Sequence, residues 1–500
     1  MSLFRVKSLD VILATAERKA LHRSLGFVQL TLLGVGAIIG TGIFVLTSEA
    51  AQKAGPGMMI SFLVAGVVCA VAALCYSELA AMIPVSGSAY TYTYAVMGEV
   101  AAWLVGWALV LEYAVSASAV AVGWSGYFTG QLEGWFGVVL PPALVNGPYA
   151  GGWINMPAVV MCLLITGLLM IGTRESMRVN AVLVIVKALA LGLFVLLAVP
   201  AMRLPNFHPF MPMGWAGGDG AGVFGAAASI FFAYIGFDAV STAAEETRDP
   251  QRTVPRALIW SLVICTAFYV LVAAGATGSP LGAQPVTSAT GSWLAPGSVA
   301  LSRRCSAIIA GGALEPLACS HEALAHVLRV IGHPAIGNLI GLAAFFALPS
   351  VVLVMIYGQA RMFFVMARDG LLPQRLARVH PRWKTPHLIT ALTGIGVTLG
   401  AAFFPVGKLA DICNAGTLFA FVAVALSAMI LRRTDPARAR PFRVPALNLI
   451  APVTIIGCII LYWRLPFDAR MVLPVWGLFG LILYLAYGYR HSRVGRGVEV

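Results

Sequence analysis

Charged side chains are scarce in this sequence. Asp, Glu, Lys and Arg make up 11% of its 500 residues while 59% are hydrophobic, against about 25% charged in an ordinary soluble domain. Such a chain cannot cover a globule with polar surface, which excludes a soluble enzyme or a soluble binding module. Also missing is a phosphate loop of the form GxxxxGK[ST], so nothing indicates direct ATP drive. GAGVFG at 220–225 satisfies GxGxxG but follows no strand, and HEALAH at 321–326 spaces its two histidines by five rather than four, off a single helical face. No catalytic residue, cofactor or metal site is expected. The net charge of +13 invites a nucleic-acid partner, but about three quarters of the 33 Lys and Arg residues fall in segments read as cytoplasmic. That bias is the positive-inside rule of membrane proteins, and no nucleic acid is needed to explain it.

Cysteine is sparse too. Of the eight, Cys69, Cys75, Cys162, Cys265, Cys413 and Cys458 lie in or beside apolar runs and read as small core residues. Cys305 and Cys319 share the one long outer loop, about 279–334. An oxidising compartment permits a disulfide between them, and the sequence leaves bonded and free forms open.

What is present is a succession of apolar runs of membrane-crossing length, at about 29–51, 57–83, 97–130, 155–172, 178–200, 220–245, 255–278, 335–366, 387–405, 409–431, 447–464 and 470–488. Long runs rather than ten-residue alternation predict an all-α integral membrane protein of about 12 transmembrane helices, not a barrel. Both termini are expected in the cytoplasm. Residues 1–26 read as a cytoplasmic amphipathic arm rather than a signal peptide, 27–490 as a single transporter domain, and 491–500 as a cytoplasmic tail. Spans 29–200 and 220–431 read as two inverted repeats, with helices eleven and twelve at 447–488 outside them.

The repeat reading rests on two interruptions. The first span contains GVGAIIGTGIF (34–44), in which Gly34, Gly36, Gly40 and Gly42 weaken a helix where no water can repair its backbone. The sixth contains SIFFAYIGFDAVSTAAEE (229–246), where Gly236 follows an aromatic cluster and Asp238 enters before the apolar run is complete. Each is the first of five spans, the sequence signature of an inverted repeat with its site at the midplane. Unwound backbone at that depth must be buried in protein or line a cavity, so the two breaks should face each other. Half-helix N-termini then offer N–H groups to an anion and C-termini offer carbonyls to a cation. A zwitterion suits both. The alternative for the glycines is close helix packing.

GVGAIIGTGIFV (34–45), AGPGMMISFLVAG (54–66), YSELAAMIPVSGSAYTYTYAVMGE (76–99), FFAYIGFDAVSTAAEETRDPQRTVP (231–255) and YGQARMFFVMARDGLLP (357–373) together resemble the amino acid–polyamine–organocation (APC) superfamily of permeases. Within it they resemble the bacterial relatives of the cationic amino acid transporters. The resemblance runs over about 25–490 and departs from the pattern in the loop around 279–320, which is longer than typical. It implies a leucine-transporter-like 5+5 inverted repeat with helices 1 and 6 broken. Carried over by residue, it implies that the substrate carboxylate meets the N–H groups of Gly40, Thr41 and Gly42 beside Ile38 and Ile39. The α-ammonium would meet carbonyls near Phe232, Ala233 and Ile235. Glycine at 40 and 42 would let the ligand approach the main chain.

Lys187, in VLVIVKALALGLF, costs about 2.5–3.5 kcal/mol to place mid-bilayer and reads as functional. The resemblance implies that its ammonium stands where sodium-coupled relatives hold an ion, reaching carbonyls of the first span and giving up its proton in the inward state. The alternatives are a snorkelling or static structural cation. Glu112, in GWALVLEYAVSASAV, is the matching acid in the third span. It would contact the substrate amino group or a basic side chain, or move a proton, unless it is a structural hydrogen-bonded staple. Asp238 reads chiefly as a cap, and Glu78, Glu245 and Glu246 as structural partners of Arg. The sequence thus predicts an inner-membrane secondary transporter taking up L-amino acids with protons. The alternatives are an amino acid/amine exchanger of the same fold and, further off, a non-transporting sensor. It does not rank cationic against neutral substrates, nor give the oligomeric state.

Overall fold

The computed structural model describes residues 5–7, 9, 25–84, 88–171, 177–242, 247–381, 383 and 385–497. Most of the arm read at 1–26, Glu245 and Glu246, and residues 498–500 of the tail lie outside these. Among the described residues the regular structure is helical, with two isolated bridges, Leu25 to Thr247 and Thr287 to Trp293.

The first apolar run forms three pieces: α1 (Phe27–Ile38), α2 (Thr41–Phe44) and α3 (Leu46–Ala54). Then come α4 (Met58–Met82), a short α5 (Ser88–Val96), α6 (Glu99–Phe136), α7 (Met156–Ile171) and α8 (Met177–Ala198). The sixth run is divided as well, into α9 (Gly222–Ile230), a 3₁₀ turn at Phe231–Tyr234 and α10 (Ala239–Thr242). α11 (Pro250–Gly278) follows, starting at a proline whose missing N–H costs nothing in a first turn. The outer loop carries α12 (Val299–Ala310) and α13 (Ala323–Val330). The remainder is α14 (Pro334–Arg368), α15 (His387–Phe403), α16 (Val406–Thr434), α17 (Leu447–Arg464) and α18 (Phe467–Leu483). Among the described residues, with α3 and α4 counted as one run, seven helices are long and apolar enough to cross a membrane, and five shorter apolar helices accompany them.

α6 is the hub. At 38 residues it is about 57 Å long, and it packs against α14, α15, α16 and α7. Its most apolar stretch is 78% buried, whereas those of α17 and α18 are 28% and 17% buried. The last two helices therefore present their apolar side chains to lipid, which accepts them at no cost. Alanine, glycine and serine on α6 let neighbouring backbones approach, the packing device available where lipid removes the hydrophobic drive between helices.

One placement differs from expectation. Lys53 lies just past the first apolar run at 29–51, where a cation is expected to reach water, yet it is buried at 2% exposure. α3 continues the first span beyond its break and is enclosed by α9 and α16. There Lys53 pairs with Asp411 at 3.2 Å and donates to Ser229, which in turn bonds Asp411. Glu49 stands a turn earlier against Gly407, where any side chain would meet its carboxyl. Glu78 does hold Arg432 and Arg440 and accepts the Val444 N–H at 2.8 Å.

Removing one partner of a buried ion pair costs about 3–5 kcal/mol because the other charge is left unanswered. Lys53→Met should therefore lower the midpoint of a detergent thermal melt strongly, and Lys53→Met with Asp411→Leu should recover part of the loss. Equal melts for the single and double variants would show that the pair is not coupled.

Candidate functional site

Ile39 leaves the helical region at φ −71°, ψ 97° and Gly40 follows at φ −144°, ψ −150°. α1 therefore ends in free carbonyls, and Thr41 starts a new helix whose first N–H groups have no intrahelical acceptor. In the sixth run Ile235 is extended at φ −61°, ψ 140° and Gly236 has φ 109°. That value suits glycine alone. A Cβ on Gly236 would also lie 2.8 Å from the Ala37 carbonyl oxygen. The two breaks thus touch.

Tyr269, on α11, closes the join. Its hydroxyl lies 2.9 Å from both the Ile38 and the Ala233 carbonyl oxygens, placed to donate to either. The sequence signal for it was a tyrosine inside an apolar run, where a buried hydroxyl must find an acceptor.

The four glycines divide by role. A Cβ on Gly34 would sit 2.8–2.9 Å from Val240 and Ser261, one on Gly36 would collide with Val184, and one on Gly42 with the Cα and Cβ of Ala233. These three are explained by close approach of α10, α11, α8 and the 3₁₀ turn. Gly42 lacks a side chain where Ala233 seats, so packing alone is enough to require glycine there. Gly40 is different: the nearest atom to a Cβ there is 4.0 Å away. Thr41 is 1% exposed and its Oγ1 has no protein partner. Gly123 on α6 makes room for its methyl.

Ile38, Ile39, Gly40, Thr41, Gly42, Phe232, Ala233 and Ile235 are all buried, so this conformation shuts the junction off from solvent. Lys187 reaches it from α8: it is 3% exposed, with Nζ 3.4 Å from the Gly36 carbonyl oxygen at the end of α1. Glu112 stands away from Thr41, on the side of the sixth run. Thr41 packs at Gly123, which is eleven residues along α6 and about 16 Å from Glu112. Glu112 instead faces Asp238, Tyr76, Tyr113 and Thr417, with Oε2 buried and lacking a protein partner. Cys305 and Cys319 are joined by a disulfide.

Two broken helices meeting inside an apolar bundle are an arrangement suited to a solute carrier. Residues 25–486 match the family described as amino acid permease. The chain is 43% identical over 500 residues to the branched-chain amino acid permease BcaP of Bacillus subtilis (strain 168), covering 99% of each. It is 38% identical over 498 residues to the methylthioribose transporter of the same organism, covering 99% of this chain and 100% of that one. Against the vacuolar cationic amino acid transporter 2 of Arabidopsis thaliana it is 34% identical over 449 residues, 87% of this chain and 64% of the relative. The protein belongs to the amino acid permease family of the APC superfamily: it is a multi-pass membrane permease, not an enzyme.

If Gly42 is there for packing and Gly40 for access, Gly42→Ala should cost about 1–3 kcal/mol through overpacking, while Gly40→Ala should melt close to the wild type. Melting temperatures of the two purified variants check this, and the opposite order would reverse the assignment.

Proposed function

We propose that this permease takes up L-amino acids with protons, as a leucine-transporter-like bundle of 5+5 inverted repeats with two added C-terminal helices. The carrying observation is the pair of facing breaks with room for a Cβ at Gly40 and a buried, unpartnered Thr41 hydroxyl. The substrate carboxylate would accept from the N–H groups of Gly40 and Thr41, with the dipole end of α2–α3 behind them. The α-ammonium would donate to carbonyls around Phe232, Ala233 and Ile235. These contacts use only atoms common to all amino acids.

The side chain would then lie among Ile38, Ile39, Phe232 and Ile235, which favours an apolar residue. The branched-chain permease among the relatives supports that choice, and the separation of Glu112 from Thr41 weighs against a cationic one. Lys187 would serve as the coupling group. Protonated, it holds the end of α1 through Gly36; on losing its proton to the inner side it releases α1 and lets the bundle rock. Glu112, beside Asp238, would serve on the path that this proton or the departing ammonium takes.

Uptake of radiolabelled leucine and arginine into proteoliposomes tests the reading. An inward proton gradient should drive leucine accumulation, and a protonophore should abolish it. Lys187→Ala should cut gradient-driven uptake roughly tenfold yet retain leucine–leucine counterflow. Wild-type uptake that ignores the gradient but requires amino acid inside would make the protein an exchanger instead.

A further inference from the structure

The long outer loop grips both sides of the molecule. At one end stands Gln52, fully buried on α3. Its Nε2 donates to the Val286 and Leu294 carbonyls, both at 2.8 Å, and its Oε1 accepts the Val286 N–H at 2.7 Å. The Trp293 indole adds a fourth bond, donating to the Gln52 carbonyl at 2.8 Å. A glutamine that satisfies its amide on both sides fixes its partner segment in one register. The stretch 286–294 is thereby fastened to the outer half of the first broken span.

At the other end α13 is driven into the scaffold. Ala323, Leu324, Ala325, Val327 and Leu328 are fully buried. Gly126 and Gly130 on α6 lie against His321 and Glu322, and Gly337 on α14 against Ala325. Arg329 pairs with Glu322 and donates to Asn338 Oδ1 at 3.0 Å. The histidines of HEALAH thus mark a wedge.

The disulfide lies between these attachments. Cys305 on α12 joins Cys319, immediately before the wedge, across 14 residues. The bond shares one small apolar cluster with Val286 and Leu294, the residues whose carbonyls Gln52 holds. It bridges directly what the chain otherwise spans through 306–318, the last turn of α12 and the segment after it.

We propose that residues 286–330 form a strap that transmits movement of α3 to the scaffold helices α6 and α14, and that the Cys305–Cys319 bond supplies its stiffness. On the alternating-access reading above, the strap closes the outer face in step with the first span. With the bond opened, clasp and wedge would no longer move together, and the clasp, deprived of its stiff tether, would open more often.

Hydrogen–deuterium exchange of the purified full-length protein, oxidised or reduced with a phosphine, reads the strap without requiring transport. Reduction should raise exchange in 286–294 and in 46–54 together. Gln52→Ala should raise exchange in 286–294 with the disulfide intact. Exchange rising only within 306–318 would overturn the proposal. In proteoliposomes the reduced protein should take up leucine roughly fivefold more slowly, with reoxidation restoring the rate. The Cys305→Ser/Cys319→Ser double variant should be slow and indifferent to phosphine. Unchanged uptake by fully reduced protein, or a phosphine effect that survives in the double variant, would also refute the strap. Absence of uptake by the oxidised protein would count against the transport reading alone, because the exchange pattern still decides the strap.

Discussion

Everything at the centre of this protein follows from the cost of an unanswered backbone group in hydrocarbon. Each such group costs several kcal/mol, so a helix interrupted mid-membrane is tolerated only where something else supplies its partners. Here the two interruptions supply part of the answer to each other. Gly236 brings the sixth run against the Ala37 carbonyl, Tyr269 stands between Ile38 and Ala233, and Lys187 approaches Gly36. What these leave over, the N–H groups at Gly40 and Thr41, is what a substrate is proposed to satisfy.

The buried charges arrange themselves around that junction in levels. Lys53 and Asp411 close the outer side through Ser229. Lys187 stands at the junction, and Glu112 with Asp238 lies on the side toward Glu99. A charge is expensive at each level: Lys53 is answered by Asp411 and Lys187 by the Gly36 carbonyl, while Glu112 faces a second carboxyl, Asp238. The outer pair joins α3 to α16 and Lys187 joins α8 to α1, so the first run is held by cations at its outer end and at its break. On the proposed mechanism, those are the contacts that must exchange as the bundle rocks.

Much of this was legible in the sequence because membrane helices announce themselves through composition, and because glycine and aspartate interrupt an apolar run visibly. The breaks near Gly40 and Gly236 and the burial of Lys187 were readable on that basis. Three things were not. Gly42 and Gly40 are identical as letters, and only the position of Ala233 separates a packing glycine from an access glycine. Lys53 sits near the end of its run, where a snorkelling cation and a buried one look alike until α16 is seen to bring Asp411. Glu112 matched Lys187 as a lone intramembrane charge, but its height along a 38-residue helix is fixed by which neighbour Gly123 meets. Helix register across a bundle is a long-range property, and hydropathy does not carry it.

The central claim is that the junction of the two breaks recognises the zwitterion through backbone groups. Calorimetric binding of leucine, its methyl ester and its N-acetyl derivative to the purified protein tests it most directly. The account predicts measurable leucine binding that is lost when either the carboxylate or the ammonium is masked. Binding of the ester or the N-acetyl derivative as tight as that of leucine would contradict it, and would move recognition away from Gly40 and Thr41 to the side-chain wall.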